Sequence, residues 1–202
     1  MVHQELWNAL RTMNPAEVCR CSLAGFDRGK GSYLLKILNR DYQILPESSV
    51  IQGVDSSAPH SPGFYLQVAV LNYLIYAKDI PLSGNWVNEK QFPTGAIFFR
   101  GPHEMPAKKL EQIFSQNSEG FCFASHSCGG TKVDGGDVAF EFPVFPRIPV
   151  RLILWMADEE FSARVSYLFD RTANIHLQLD ALYAVGKVVE AALLEAAVHP
   201  KS

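Results

Sequence analysis

No block of lysine and arginine stands anywhere in the sequence, and the formal net charge is −3. The chain therefore lacks the positive footprint by which proteins hold nucleic acid or an anionic membrane, and neither partner is expected. A membrane span is missing too. The longest apolar run, Phe64 to Ala77, is broken by Gln67 and Asn72 and falls short of the ~20 residues a bilayer requires. No basic segment followed by an apolar one opens the chain, so no secretory leader is read there. Four cysteines, Cys19, Cys21, Cys122 and Cys128, are too few and too irregularly spaced among 202 residues for a disulfide framework. Together these absences predict a cytoplasmic protein with reduced thiols. Internal repeats and low-complexity segments are also absent.

What is present is a hydrophobic fraction of 48% in 202 residues, enough for one large core. The expectation is a single domain over 1–202 of α+β class: a mixed or antiparallel sheet packed by a central apolar helix and a long C-terminal amphipathic helix. Leu6, Leu10 and Met13 recur at helical spacing up to Asn14-Pro15, where proline disfavours helix in the residue before it. Val18 to Ala24, Tyr33 to Leu38 and Tyr42 to Leu45 read as a three-stranded meander, followed by a surface loop from Pro46 to Pro62. Ser61-Pro62 supplies an N-cap and a first-turn proline for a helix to about Lys78, apolar on nearly every face and so placed in the core.

Ala96 to Arg100 reads as a short strand and Pro106 to Gln116 as a helix. Phe121 to Cys128, Asp137 to Val144, Val150 to Ala157 and Ala163 to Phe169 read as strands. From about Asn174 a stripe of Ile175, Leu179, Leu182, Gly186, Val189, Leu193 and Ala196 predicts one continuous closing helix. Gly186 within it costs roughly 1 kcal/mol relative to alanine, which implies a close neighbour at that point.

Three groups of residues are candidate sites. Cys19 and Cys21 on one strand, with Cys122, His126 and Cys128 on another, would offer thiolate and imidazole ligands to zinc or iron if the two strands were adjacent. Their C-x-C and C-x-x-x-H-x-C spacings match no standard metal pattern, and the alternative is that small buried thiols simply pack. His126 beside Cys122 or Cys128 would also form a base and thiolate pair. The glycine-rich loop from Cys128 to Asp137, with Lys132 and Asp137, lets backbone N–H groups approach an anion, although it lacks phosphate-loop spacing. Its alternative is a plain connection between strands. Arg147, in the corner Pro146-Arg147-Ile148-Pro149, would hold its guanidinium toward an anionic group or pair with Asp158, Glu159 or Asp170. His60, His103 and His199 read as exposed, and His176 as a cap or surface residue.

The stretches Gly-Gly-Asp-Val-Ala-Phe-Glu-Phe, Phe-Pro-Arg-Ile-Pro-Val, Leu-Trp-Met-Ala-Asp-Glu-Glu-Phe and Tyr-Leu-Phe-Asp are joined by Tyr73-Leu74-Ile75-Tyr76 and Gly84-Asn85-Trp86-Val87. Together they resemble domain-of-unknown-function family thirty-seven eighty-six. The resemblance implies bacterial and archaeal relatives, largely from anaerobes, some carrying a small four-cysteine iron–sulfur module. These four cysteines form no tight array, so that cluster is not carried over. It further implies a place in anaerobic redox or one-carbon metabolism, and it assigns no catalytic residue and no cofactor. The functional expectation is a cytoplasmic ligand-binding or accessory protein, with a pocket near the glycine-rich loop and the Arg147 corner for a small anionic ligand or cofactor. An enzyme with a Cys/His metal or thiolate site is one alternative. The other is an interaction subunit with a protein partner or a second copy of itself.

Overall fold

The computed structural model describes residues 4–54 and 63–198. The Ser61-Pro62 cap and the readings of His60 and His199 lie outside the described residues. The chain opens with α1 (Gln4–Thr12), whose Trp7 and Leu10 are buried on one face. It continues in α2 (Pro15–Ser22), not in the strand expected from Val18 onward. Asn14-Pro15 is a start signal as much as a stop. The Asn14 side chain accepts from the Ala16 N–H at 2.9 Å, and Pro15 fills the first turn, where its missing donor is not needed. Val18 and Ser22, one helical turn apart, are the buried pair.

An antiparallel meander follows, of four strands rather than three: β1 (Gly25–Asp27), β2 (Ser32–Ile37), β3 (Arg40–Leu45) and β4 (Val50–Gly53). α3 (Phe64–Tyr76) is the expected central helix. Its residues from Ala69 to Leu74 are all buried, so it is covered on every side, chiefly by α1, α2 and the C-terminal helix. Each large apolar side chain hidden in this way contributes about 1.5–3 kcal/mol.

The second half begins with β5 (Trp86–Asn88) and a 3-10 turn over Glu89–Gln91. α4 (Gly95–Phe98) replaces the strand expected there. α5 (Lys108–Phe114) is the predicted polar helix. α6 (Ser118–Ser127) then overturns the strand reading of Phe121 to Cys128. Asn117 caps it by accepting from the Gly120 N–H at 2.8 Å, and Phe121, Ala124, Ser125 and Cys128 are buried at spacings of three, four and seven. Phe123, which a strand would have placed with Phe121, is 40% exposed.

β6 (Thr131–Val133), β7 (Val138–Phe145), β8 (Ile148–Trp155) and β9 (Arg164–Asp170) complete a five-stranded antiparallel sheet ordered β5-β9-β8-β7-β6. The β7–β8 hairpin pairs Val138 with Leu154 and Pro143 with Pro149, with a bulge before Phe145, so its prolines lie near the turn rather than in mid-ladder. The two sheets meet where the Leu38 N–H donates to the Val144 carbonyl at 3.3 Å.

The closing stripe is broken in two, α7 (Ala173–His176) and α8 (Leu179–Val198), with Leu177 extended between them. Ile175 is consequently exposed instead of leading the stripe. α8 packs on α3, α5, α6 and α7. Gly186 has the close neighbour its presence implied: a Cβ there would stand 2.4 Å from Met105 Cε and 3.2 Å from Pro106 Cδ. The class is α+β with a long C-terminal helix. Among the described residues no helix is long and apolar enough to cross a membrane.

Candidate functional site

The residues singled out in the sequence are scattered over the fold. Cys19 and Cys21 ride on α2, whereas Cys122 and His126 ride on α6, with Cys128 at its C-terminal end. The shared-strand premise is gone. Among the described residues no three His, Cys, Asp or Glu side chains are grouped as a metal ion would need. Cys128 is buried, and burial pushes its thiol up to about 11, the direction opposite to a thiolate nucleophile. His126 is exposed and meets the Phe140 ring edge-on at 4.9 Å.

Lys132 lies on the exposed edge strand β6. Asp137 accepts from the Met156 N–H at 2.7 Å, holding the start of β7 to the end of β8. The glycine loop before it is a packed turn: Gly136 has φ +51, and a Cβ on it would meet Ile153 Cγ2 and the Leu154 carbonyl at 2.7 Å. Asp137 and Arg147 stand at opposite ends of the β7–β8 hairpin. The eight residues of β7 separate them by roughly 25 Å at about 3.3 Å per residue.

Arg147 is a structural clamp. Its Nε donates to the Cys21 carbonyl at 2.7 Å, Nη1 to the Ile80 carbonyl, and Nη2 to the Arg20 carbonyl at 3.3 Å and to Asp79 Oδ1 at 2.7 Å. Its backbone N–H donates to Tyr73 Oη, which in turn donates to the Ser22 carbonyl at 2.7 Å. The Arg20 and Cys21 carbonyls at the end of α2 are thereby satisfied by a cation, as a helix C-terminus favours, and that of Ser22 by the Tyr73 hydroxyl. The ion pair is with Asp79, not with Asp158, Glu159 or Asp170. Asp158 instead folds its own turn, accepting from the Glu160 and Phe161 N–H groups. Asp170 accepts from Ser83, Gly84 and Thr172; burial alone would raise its carboxyl, but these bonds outweigh it and hold the carboxyl below its usual range. His103 is exposed, as expected, and stacks on Phe98. His176, expected at the surface, is fully buried.

The candidate site lies elsewhere, in a cleft of about 420 Å³ between the 3-10 turn, the segment 101–111, β9 and α8. Gly186 builds one wall. Because it has no side chain, Met105 and Pro106 press against α8, and the Pro106 carbonyl accepts from Tyr167 Oη at 3.0 Å. Burial keeps that phenol neutral, raising it well above its usual range, with Glu190 and Glu111 adding to the effect. Glu190 is 6% exposed and accepts from Lys187 Nζ. Lys187 also lies 5.9 Å above the Tyr65 ring, so two partners fix it. Glu111 Oε1 accepts from the Val165 N–H at 3.0 Å.

Glu89 differs from these carboxylates. It is 5% exposed, and its Oε2 is buried with no hydrogen-bond partner among the described residues. Burial pushes its carboxyl up, opposed by its own backbone N–H and by Lys90 and reinforced by Glu104. The 3-10 turn that carries it is fixed. Asn88 and Gln91 form a reciprocal capping box, and Gly95 sits so close that a Cβ would be 2.3 Å from the Glu89 carbonyl. Sequence reasoning missed Glu89 altogether. Glu190 left a trace: it is a charge set among Val188, Val189, Ala191 and Ala192 on the helix already read as core-facing.

Residues 14–191 match the family described as Domain of unknown function (DUF3786). No curated protein and no solved structure matches the chain. The family match runs from the cap of α2 into the last turns of α8 and spans both sheets and the cleft, and the chain belongs to that family.

Proposed function

We propose that this chain is a binding protein that takes a small polar molecule into the cleft between the Glu89 turn, the segment 101–111, β9 and α8. The reading keeps the cytoplasmic setting and the link to anaerobic redox or one-carbon chemistry that the family resemblance implies. Glu89 carries it: it lines a cleft large enough for a metabolite, and its buried Oε2 has no partner among the described residues. An unpaired buried acceptor costs about 1–3 kcal/mol, and a ligand that brings a donor to Oε2 recovers that energy.

The test is a two-dimensional amide spectrum of the protein titrated with polar metabolites and fragments, repeated with Glu89→Gln. Ligands are expected to shift amides of Glu89, Lys90 and Lys187, with affinity lowered about tenfold or more in the variant, the equivalent of one charged hydrogen bond. A cleft silent to every polar probe, or affinities equal in both proteins, overturns the proposal.

A further inference from the structure

The cleft sorts its charges by depth. Of the carboxylates that line it, Glu89 and Glu190 are buried and Glu111 is half-buried; Glu190 holds Lys187, and Glu111 holds a backbone N–H of β9. Among the described residues, Glu89 Oε2 has nothing to accept from. The mouth is the reverse. Lys90, Lys108 and Lys109 are exposed there and make no ion pair among the described residues. Arg164, also exposed, leans on the Trp155 ring at 5.3 Å, and Glu104 is the one acid beside them. The rim therefore carries an excess of positive charge over a floor that asks for a donor.

A simple anion satisfies the rim but places like charge toward Glu89. A simple cation satisfies Glu89 but must pass four cations and leaves them unmatched. One molecule that carries a cationic donor at one end and an anion at the other meets both demands. Resting on the binding reading above, we infer that the ligand is a small zwitterion. Its ammonium end seats on Glu89 Oε2, and its carboxylate or phosphate end faces Lys108, Lys109 and Arg164 at the mouth.

The experiment is calorimetric titration of the protein at fixed ionic strength with β-alanine, 4-aminobutanoate, 5-aminopentanoate and 6-aminohexanoate, and with phosphoethanolamine for the phosphate arm. Butylammonium and butanoate serve as single-charge controls. At least one zwitterion is expected to bind tenfold or more tightly than either control, and the arm that wins names the anionic end. Glu89→Gln is expected to remove that advantage while leaving butanoate unchanged. The double variant Lys108→Gln, Lys109→Gln alters only exposed residues and so keeps the fold; it is expected to weaken the zwitterion severalfold and spare butylammonium. If butanoate or butylammonium binds in the cleft as tightly as every zwitterion and is weakened by Glu89→Gln, the zwitterion inference falls while the binding reading stands; if the zwitterion binds Glu89→Gln as tightly as the wild type, both fall. If no probe of any charge binds, both fall.

Discussion

Between about pH 6.5 and pH 4 this protein should lose stability through one side chain, His176. The imidazole is fully buried at the end of α7, and its Nδ1 accepts from the Lys78 N–H at 3.1 Å. The proton of the neutral ring therefore sits on Nε2, which has no partner among the described residues. Burial drives its pKa down to about 4, with Arg147 and Lys78 pushing the same way and Asp170 opposing. In the unfolded chain the ring titrates near 6.5. Above that value it is neutral in both states and contributes its full share. As the pH falls through 6.5 the unfolded chain takes up a proton that the folded one refuses, so stability drops until the folded ring protonates near 4. A gap of about 2.5 units at ~1.36 kcal/mol each makes the loss about 3 kcal/mol. Glu89 works in the other direction, because its raised carboxyl binds a proton more readily in the folded state, so the comparison must be made against a variant. His176→Gln can still accept from Lys78 but cannot titrate. Urea unfolding at pH 7, 6, 5 and 4 should show the wild type losing about 3 kcal/mol more than the variant, with slopes in urea unchanged. Parallel stability curves for the two proteins would refute the assignment.

Replacing Arg147 with Lys keeps the charge but offers one ammonium to four acceptors held by a fork, and unfolding stability is expected to fall by about 2–4 kcal/mol in urea titration. Gly136→Ala forces a left-handed residue to carry a Cβ into Ile153 and the Leu154 carbonyl, so a loss of roughly 2 kcal/mol is expected with the hairpin register retained by amide spectra. Asp170→Asn turns an acceptor of five hydrogen bonds into a group with one acceptor oxygen; with that oxygen kept toward Ser83 and Thr172, its amide NH2 faces the Gly84 N–H donor in place of Oδ2. A drop of about 2–3 kcal/mol follows, visible as a lower melting temperature at neutral pH and a narrower gap to the wild type in strong acid, where Asp170 protonates.

Period and punctuation in the sequence determined much of this protein. An apolar run without a polar face made α3 central, clean alternation laid out β7, β8 and β9, and a lone glycine in the last helix announced a close neighbour. The family was also legible in its turns. Short runs were not legible, because over seven or eight residues a β-rich composition and a helical face are both satisfied, and caps decide between them. Asn14-Pro15 and Asn117 turned Val18 to Ala24 and Phe121 to Cys128 into helices, and with that change the cysteines lost their common face. Only the tertiary structure decided the site. Glu89 looks like any surface acid in the chain, and it is buried only where Gly95 packs against its turn and the segment 101–111, β9 and α8 are brought round the same cleft. Burial and pairing are sums over distant segments, so a carboxylate left without a partner becomes visible only when those segments are brought together.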